Sequence, residues 1–277
     1  MADAPGTLPI TVEGTIGGAL VYAIGDIHGC YELLRELLRA IETDISTQRG
    51  EGKATLIFCG DYVDRGPDSS RVLDALCWLK RHAPHDVRFL RGNHDAVMLD
   101  YIRDPAPHRD WMRFGGAETL RAYGVTPPNA DDPVEHHRRT RDDLLERMPV
   151  AHLRLLEELD PMLTIGDFVF VHAGIRPGRA LSAQSEADLL WIRDEFLSST
   201  ATHEKIVVHG HTWTASKPVV LPHRIAVDTG AYATGVLAAV RLRDRAAAVI
   251  SVGRDRRLSD RIPIDSTAEQ VTSAPPA

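Results

Sequence analysis

The sequence has few cysteines, no long apolar run and no excess of positive charge, and each absence excludes a class of protein. Its three cysteines, Cys30, Cys59 and Cys77, form no C-x-x-C pair and do not resemble a disulfide framework. We therefore expect a reducing, cytoplasmic environment. The N-terminal residues MADAPGTLPI lack the features of a secretory signal, and no stretch approaches the roughly 18 apolar residues of a membrane helix.

The net charge of −7 leaves no general basic field that could hold a nucleic-acid polymer. Any anionic ligand must therefore be attracted by a local group of cations. With 277 residues, 43% of them hydrophobic, the chain is long enough to bury a large core. We expect a single domain and a monomer, with no membrane partner.

Short apolar runs rich in β-branched residues predict the strands. Seven such runs follow one another along the chain: LVYAIGD, TLIFCGD, VRFLRGN, DFVFVHAG, KIVVHGH, RIAVDTG and GVLAAVRL. Two apolar stripes with helical spacing, beginning at Leu33 and Val72, lie between the first three runs. This alternation is typical of a layered α/β fold.

Composition also indicates how the chain is divided. Charges and turn signals such as TPPNADDP predict a helical insertion at about residues 100–160, between two parts of the sheet. We expect residues 1–18 to form a flexible N-terminal tail and residues 262–277, rich in Ser, Thr and Pro, to form a disordered C-terminal tail. The predicted domain spans residues 19–252.

Polar clusters follow five of the predicted strands. They are GDIHG at 25–29, GDYVDRG at 60–66, GNHD at 92–95, VHAG at 171–174 and VHGHT at 208–212. Because ligands of open α/β folds bind at the carboxyl ends of strands, we expect these clusters to converge. The candidate metal ligands among them are Asp26, His28, Asp61, Asn93, His172 and His211.

These donors are oxygen and imidazole atoms without thiolate, which favours Mn, with Fe, Zn or Ni as alternatives. Asp26 and His28 lie two residues apart, so they can point to the same side and chelate one ion. Asp61 is the expected bridge to a second ion. Two ions about 3.5 to 4 Å apart can hold a hydroxide nucleophile between them at neutral pH. His209 shares its strand end with His211 and is the alternative ligand there.

Four further residues complete the predicted chemistry. His94 is the expected general acid for the leaving oxygen, oriented by the carboxylate of Asp64. Arg65 can hold two phosphate oxygens with its planar guanidinium group. Arg193 in WIR is a second candidate phosphate clamp, although a structural ion pair would also explain it. Arg91 and Asp95 flank the third cluster, and a local structural ion pair explains them at least as well as a role in the site.

The motifs GDIHG, GDYVDRG and GNHD resemble the signatures of the calcineurin-like metallophosphoesterases, specifically of the phosphoprotein phosphatase family. The resemblance covers roughly residues 20 to 245 and includes VHAGI, LLWIRD, VHGHT and VDTGA in matching order. It implies a β-sandwich of two mixed sheets flanked by helices, which the strand pattern only partly indicates. It also implies that the six ligands bind two metal ions, that Asp64 pairs with His94, and that Arg65 binds phosphate.

The segments VHAGI, GHT and WMRFGGAETLRAYG resemble the bacterial branch, which includes symmetrical diadenosine tetraphosphatases. The leading hypothesis is a serine/threonine protein phosphatase acting on a phosphoprotein or phosphopeptide. Symmetrical hydrolysis of a dinucleoside polyphosphate, diadenosine tetraphosphate, is the enzymatic alternative, for which Trp111 and Tyr123 could stack on a base or could equally be core residues. A non-catalytic metal-binding scaffold is the alternative of another class, and the intact ligand set argues against it.

Overall fold

The computed structural model describes residues 10–48, 53–201 and 203–253, which form two β-sheets packed face to face between helices. In chain order the strands are β1 Ile10–Thr11, β2 Leu20–Ile24, β3 Thr55–Phe58, β4 Asp86–Phe89, β5 Met162–Ile165, β6 Phe168–Val171, β7 Ile206–His209, β8 Val219–Val220, β9 Arg224–Ala226, β10 Val236–Arg243 and β11 Ala246–Gly253. The helices are α1 Tyr31–Thr47, α2 Ser69–His82, α3 Asn93–Arg103, α4 Gly116–Ala122, α5 Val134–Arg147, α6 Val150–Glu157, α7 Glu186–Trp191, α8 Asp194–Leu197 and α9 Ala231–Thr234, with short 3₁₀ helices at Arg109–Phe114 and Leu181–Ala183.

Both sheets are mixed. The first has the strand order β1-β11-β10-β2-β3-β4, in which β2, β3 and β4 are parallel and the other neighbours are antiparallel. The second has the order β5-β6-β7-β9-β8, in which β6, β7 and β9 are parallel. The predicted β-sandwich of two mixed sheets flanked by helices is confirmed.

Alternation along the strands separates the core into layers. In β2, Val21 and Ala23 face the second sheet, whereas Tyr22 faces the helices. In β6, Phe170 packs in the layer between the sheets, and Val169 packs on the outer side among residues of α7 and α8. Successive strand side chains point to opposite faces, so strands buried on both sides must be continuously apolar.

The two predicted helical stripes form the inner faces of α1 and α2. Leu34, Leu37 and Ile41 are buried on α1, and Val72 and Leu76 are buried on α2. Apolar residues spaced by three or four place one face of each helix on the first sheet. Among the helices of the described residues, none is long and apolar enough to cross a bilayer.

Helices α3 to α6, which we call the linking helices, occupy the stretch for which the sequence predicts an insertion. They lie between β4 of the first sheet and β5 of the second, so this segment connects the two sheets. Leu144 of α5 and Leu156 of α6 are buried in the same cluster as α1 and α2. The linking helices therefore extend the helical layer on the first sheet.

Residues 10–18 do not form the predicted flexible tail. β1 pairs with β11 through Ile10 and Thr11, and Val12 and Ile16 are 3% and 1% exposed in the layer between the sheets. A two-residue edge strand is too short to show an alternating pattern, which explains why the prediction is wrong here. Residues 1–9 and the predicted tail at 262–277 lie outside the described residues.

Candidate functional site

The predicted ligands meet where β2, β3 and β4 of the first sheet and β6 and β7 of the second sheet end. Backbone hydrogen bonds join the loops, since the N–H groups of Ile27 and His28 donate to the carbonyl oxygen of Asp61 at 3.1 and 2.9 Å. The structure brings all six predicted ligands into one cluster, in which no residue is more than 8% exposed. These residues are Asp26, His28, Asp61, Asn93, His172 and His211.

Asp61 lies at the centre of this cluster. Its Oδ2 atom is 3.5 Å from Nε2 of His28 and 3.5 Å from Nε2 of His172. Two groups of possible donor atoms share Asp61, one with His28 and His94 and the other with His172 and His211, and the atoms of each group lie within 4.8 Å of one another. Asp61 is therefore positioned to serve two adjacent ions.

Asn93 and Asp26 connect the remaining ligands. Oδ1 of Asn93 lies 2.8 Å from Nε2 of His172 and 3.0 Å from Nδ1 of His211. Oδ2 of Asp26 accepts a hydrogen bond from the backbone N–H of His211 at 2.9 Å. Oδ1 of Asp26 and Nε2 of His211 are buried without a hydrogen-bond partner. Buried polar atoms without partners are costly, and a bound cation would satisfy both.

Two histidines are oriented by backbone carbonyl groups. Nδ1 of His28 donates to the carbonyl oxygen of Val63 at 2.9 Å, and Nδ1 of His172 donates to that of Cys59 at 2.8 Å. Each contact places the proton on Nδ1 and leaves the Nε2 lone pair facing Asp61. Metal-binding histidines typically have this arrangement.

Burial sets the charge of the ligands. It lowers the pKa of His28 to about 3 and also lowers the pKa values of His172 and His211, so the imidazoles are neutral at neutral pH, as metal binding requires. Burial raises the pKa of Asp26 well above its ordinary value, and the nearby carboxylates of Asp228 and Asp61 raise it further. A divalent cation would offset the repulsion among these buried carboxylates, so the donor set fits such an ion.

His94 and Asp64 form a buried pair beside the ligands. Nδ1 of His94 donates to Oδ2 of Asp64 at 2.7 Å, and the backbone N–H of His94 donates to Oδ1 of Asp61 at 3.0 Å. Burial opposes protonation of His94, but the carboxylates of Asp61 and Asp64 outweigh it and raise the pKa. Because Asp64 occupies Nδ1, Nε2 is the ring nitrogen that can exchange a proton with another group.

Both predicted arginines lie at the exposed edge of the cluster. Arg65 donates through Nη1 to the hydroxyl of Tyr232 at 3.0 Å, and its guanidinium carbon lies 4.9 Å from the centre of that ring. The ring of Tyr232 also meets that of His28 edge-on at 5.2 Å. Nη1 of Arg193 donates to the hydroxyl of Thr212, which follows the ligand His211, at 3.4 Å. Tyr232 was not predicted from the sequence.

Asp95 has a structural role that the sequence analysis missed. Its Oδ2 atom accepts from the backbone N–H groups of Asp61 and Gly92 at 2.8 and 3.0 Å, and Oδ1 accepts from that of Tyr62 at 3.0 Å. Arg91 instead pairs with Glu186 at 2.7 Å, so the local ion pair expected between Arg91 and Asp95 is wrong. This role could have been predicted from the sequence, because an acidic residue at the third position of a helix, as Asp95 is in α3, typically accepts hydrogen bonds from the backbone at the start of the helix.

Three alternative site residues are core residues. His209 is fully buried and meets the ring of Phe196 edge-on at 5.2 Å. Trp111 and Tyr123 are 1% and 7% exposed within the main helical core. Their rings are therefore not available for stacking on a substrate base.

Backbone strain is concentrated at this site. Six non-glycine residues in the described ranges have positive φ, and five of them belong to the site, the sixth being Asp244. The five are His28, Asp61, Asp64, Arg65 and His211, with φ between 44° and 72°. Such conformations cost free energy and persist where surrounding contacts impose them, often at functional sites.

Comparison with known proteins gives a family match and several relatives. Residues 19–232 match the family model described as calcineurin-like phosphoesterase. An asymmetrical bis(5'-nucleosyl)-tetraphosphatase PrpE of Bacillus mycoides is 26% identical, covering 79% of this chain and 88% of its own length. A symmetrical bis(5'-nucleosyl)-tetraphosphatase of Methylobacillus flagellatus is 35% identical, covering 56% of this chain and 43% of its own length.

Shewanella-like protein phosphatase 2 of Arabidopsis thaliana is 29% identical, covering 55% of this chain and 46% of its own length. This chain therefore spans less than half the length of the plant relative and of the symmetrical tetraphosphatase. Among solved structures, one provisionally assigned to a diadenosine tetraphosphatase has a TM-score of 0.58 at 22% identity, covering 87% of this chain and 96% of its own. This similarity shows a shared fold.

Proposed function

Because the chain belongs to the calcineurin-like phosphoesterases, we propose that it hydrolyses phosphate esters at a site for two divalent metal ions. The position of Asp61 carries the proposal, since its Oδ2 atom lies 3.5 Å from Nε2 of both His28 and His172. A carboxylate between two sets of ligands is what a pair of adjacent ions requires.

Asp26 and His28 would hold one ion, Asn93, His172 and His211 would hold the other, and Asp61 would contact both. Manganese is the proposed metal, because oxygen and imidazole donors without thiolate suit it. Bound ions of this kind polarise the phosphoryl group and lower the pKa of the attacking water.

The other side chains would bind the phosphate and move a proton. The exposed guanidinium groups of Arg65 and Arg193 would bind phosphoryl oxygens at the edge of the cluster. His94 would donate the proton of Nε2 to the leaving oxygen, while Asp64 keeps Nδ1 protonated and the ring in place.

We propose phosphoserine and phosphothreonine in proteins or peptides as the substrates. The buried pair of His94 and Asp64 supports this choice, because a serine or threonine alkoxide is a poor leaving group and gains most from a positioned acid. The leaving group of a dinucleoside polyphosphate is itself a phosphate, which departs without a strong need for protonation.

Dinucleoside polyphosphate hydrolysis is the second candidate. The names of the bacterial relatives favour it, including that of the PrpE enzyme, of which this chain covers 88%. The partly exposed rings of Tyr232 and Trp191 also lie beside the ligands, with ring centres 5.2 Å from His28 and 6.4 Å from His211 respectively. Aromatic rings of this kind stack on nucleobases.

A comparison of kcat/KM for a phosphothreonine peptide and for diadenosine tetraphosphate, with the Mn-loaded protein, tests the substrate. We expect the peptide to be preferred, and preference for the dinucleotide would overturn this assignment in favour of the second candidate. The nucleotide products then decide the type of cleavage, since symmetrical hydrolysis yields two ADP and asymmetrical hydrolysis yields AMP and ATP. Metal binding without hydrolysis of either substrate would support the scaffold alternative.

A further inference from the structure

The carboxylate of Asp64 has more hydrogen-bond donors than its pairing with His94 requires. Besides His94, the indole Nε1–H of Trp111 donates to Oδ2 at 2.8 Å, and the hydroxyl of Thr119 donates to Oδ1 at 2.7 Å. Asp64 itself is fully buried. Trp111 and Thr119 come from the segment between α3 and α5, 47 and 55 residues further along the chain.

Thr119 holds the backbone of Asp64 as well as its side chain. The backbone N–H of Asp64 donates to the hydroxyl oxygen of Thr119 at 2.8 Å, while the hydroxyl proton goes to the carboxylate. Asp64 and the following Arg65 have φ angles of 72° and 65°, in the left-handed region that disfavours residues with a Cβ atom. Contacts from outside the loop therefore impose this conformation.

Two glycines allow the segment to approach the loop. A Cβ atom on Gly115, whose φ is 108°, would lie 2.5 Å from the backbone nitrogen of Arg65. A Cβ atom on Gly116 would lie 2.4 Å from the ring of Trp111. The two glycines of WMRFGGAET therefore let the indole N–H of Trp111 and the hydroxyl of Thr119 both reach the carboxylate of Asp64.

We propose that Trp111 and Thr119 are positioning residues for proton transfer to the leaving group. Their two donors fix the carboxylate of Asp64 so that it holds Nδ1 of His94 and directs Nε2 towards the leaving oxygen. This inference rests on the proposed phosphoester hydrolysis with His94 as the acid. A purely structural role for the two residues would instead affect every substrate equally.

The test uses Trp111→Phe, which removes the N–H and keeps an aromatic ring, and Thr119→Val, which removes the hydroxyl and keeps the shape. The substrates are p-nitrophenyl phosphate, whose leaving group needs little protonation, and a phosphothreonine peptide, whose leaving group needs it. We expect kcat for the peptide to fall about 10- to 100-fold, by analogy with the loss of hydrogen bonds that orient metal-binding side chains. The values of KM and kcat for p-nitrophenyl phosphate should stay within about twofold, because the backbone N–H of Asp64 also donates to the hydroxyl of Ser69 at 3.1 Å and this contact remains.

Matched controls separate positioning from folding. Thr119→Ser keeps the hydroxyl and should restore activity on the peptide. Thr140→Val removes another buried threonine hydroxyl, which donates to the carbonyl oxygen of His136 in α5, and Trp78→Phe alters a tryptophan that is 56% exposed. Both should leave the ratio of the two kcat values unchanged. Mn²⁺ affinity, measured by calorimetry, should be unchanged in every variant.

An equal loss on both substrates, or no loss on either, would overturn the inference while the proposed function stands. If Trp111→Phe does not fold, the comparison of Thr119→Val with Thr119→Ser on the two substrates tests the inference without it. A wild-type protein that binds Mn²⁺ and hydrolyses neither substrate would overturn the proposed function and this inference together.

Discussion

Nδ1 of His94 lies 2.7 Å from Oδ2 of Asp64, and this contact leaves Nε2 as the ring atom that can serve a substrate. We predict that His94→Ala lowers kcat for a phosphothreonine peptide by about 10² to 10⁴, the usual contribution of a positioned acid. KM should change little, because phosphate binding is assigned to the arginines. His136→Ala, on the exposed side of α5, is the control. A variant that retains wild-type kcat would exclude His94 as the acid.

Asp61→Asn should abolish binding of both metal ions, because it removes the charge of the side chain common to both groups of possible donor atoms. Calorimetry with Mn²⁺ should give two ions per wild-type chain and none for the variant. Mn²⁺ at a hundredfold excess over Kd should stabilise the wild type by about 2.7 kcal/mol for each bound ion, and the variant not at all. The control is Asp110→Asn, which alters an exposed carboxylate 3.3 Å from Arg113 and should behave as the wild type.

Gly210→Ala should weaken metal binding although it leaves every ligand side chain in place. A Cβ atom at this position would lie 2.0 Å from Oδ1 of Asp26, so the carboxylate must move. Gly14→Ala is the matched control, because its Cβ atom would also be crowded, at 2.9 Å from the side chains of Asp167 and Ile206, but would touch no ligand. The control should bind Mn²⁺ as the wild type does. Equal Mn²⁺ affinity in Gly210→Ala and the wild type would show that metal binding does not depend on the position of the Asp26 carboxylate.

His209 should make the metal-free protein less stable in acid. Burial lowers its pKa from 6.5 to about 3, so below pH 6.5 the unfolded chain takes up a proton that the folded chain does not. Its contribution to stability is complete above pH 6.5, declines as the pH falls, and is about 2 kcal/mol lower at pH 5. Chemical unfolding at pH 7.5 and pH 5 with a chelator should show this difference reduced in His209→Phe and unchanged in His136→Phe. An equal pH dependence in the wild type and His209→Phe would contradict the prediction.

The sequence predicted the cluster of candidate ligands because each of them follows an apolar strand. Asp26, Asp61 and Asn93 come directly after the glycine that follows β2, β3 or β4, and parallel neighbouring strands bring their carboxyl ends to the same edge. His172 and His211 follow β6 and β7 for the same reason. Strand spacing and residue type were therefore sufficient to predict where the cluster lies, but the choice of His211 over His209 depended on the family resemblance.

Residues that support the cluster were not predicted, because their contacts depend on how distant segments pack. Tyr232 receives a hydrogen bond from Arg65 across 167 residues, and Thr119 contacts Asp64 across 55. Trp111 is buried as a core residue, and the sequence does not indicate that its indole N–H donates to Asp64. The edge strand β1 was not predicted, because two residues are too few to show the alternation of a strand and only their pairing with β11 identifies them as one.

The hydrogen bond between Asp26 and the backbone of His211 joins residues that are 185 positions apart. During synthesis, the ribosome must therefore release most of the described chain before the ligands can meet. Closing so long a loop costs entropy before the contact can form, so we expect the site to form late in folding. Loss of this hydrogen bond would loosen the contact between the loop after β2 and the loop after β7.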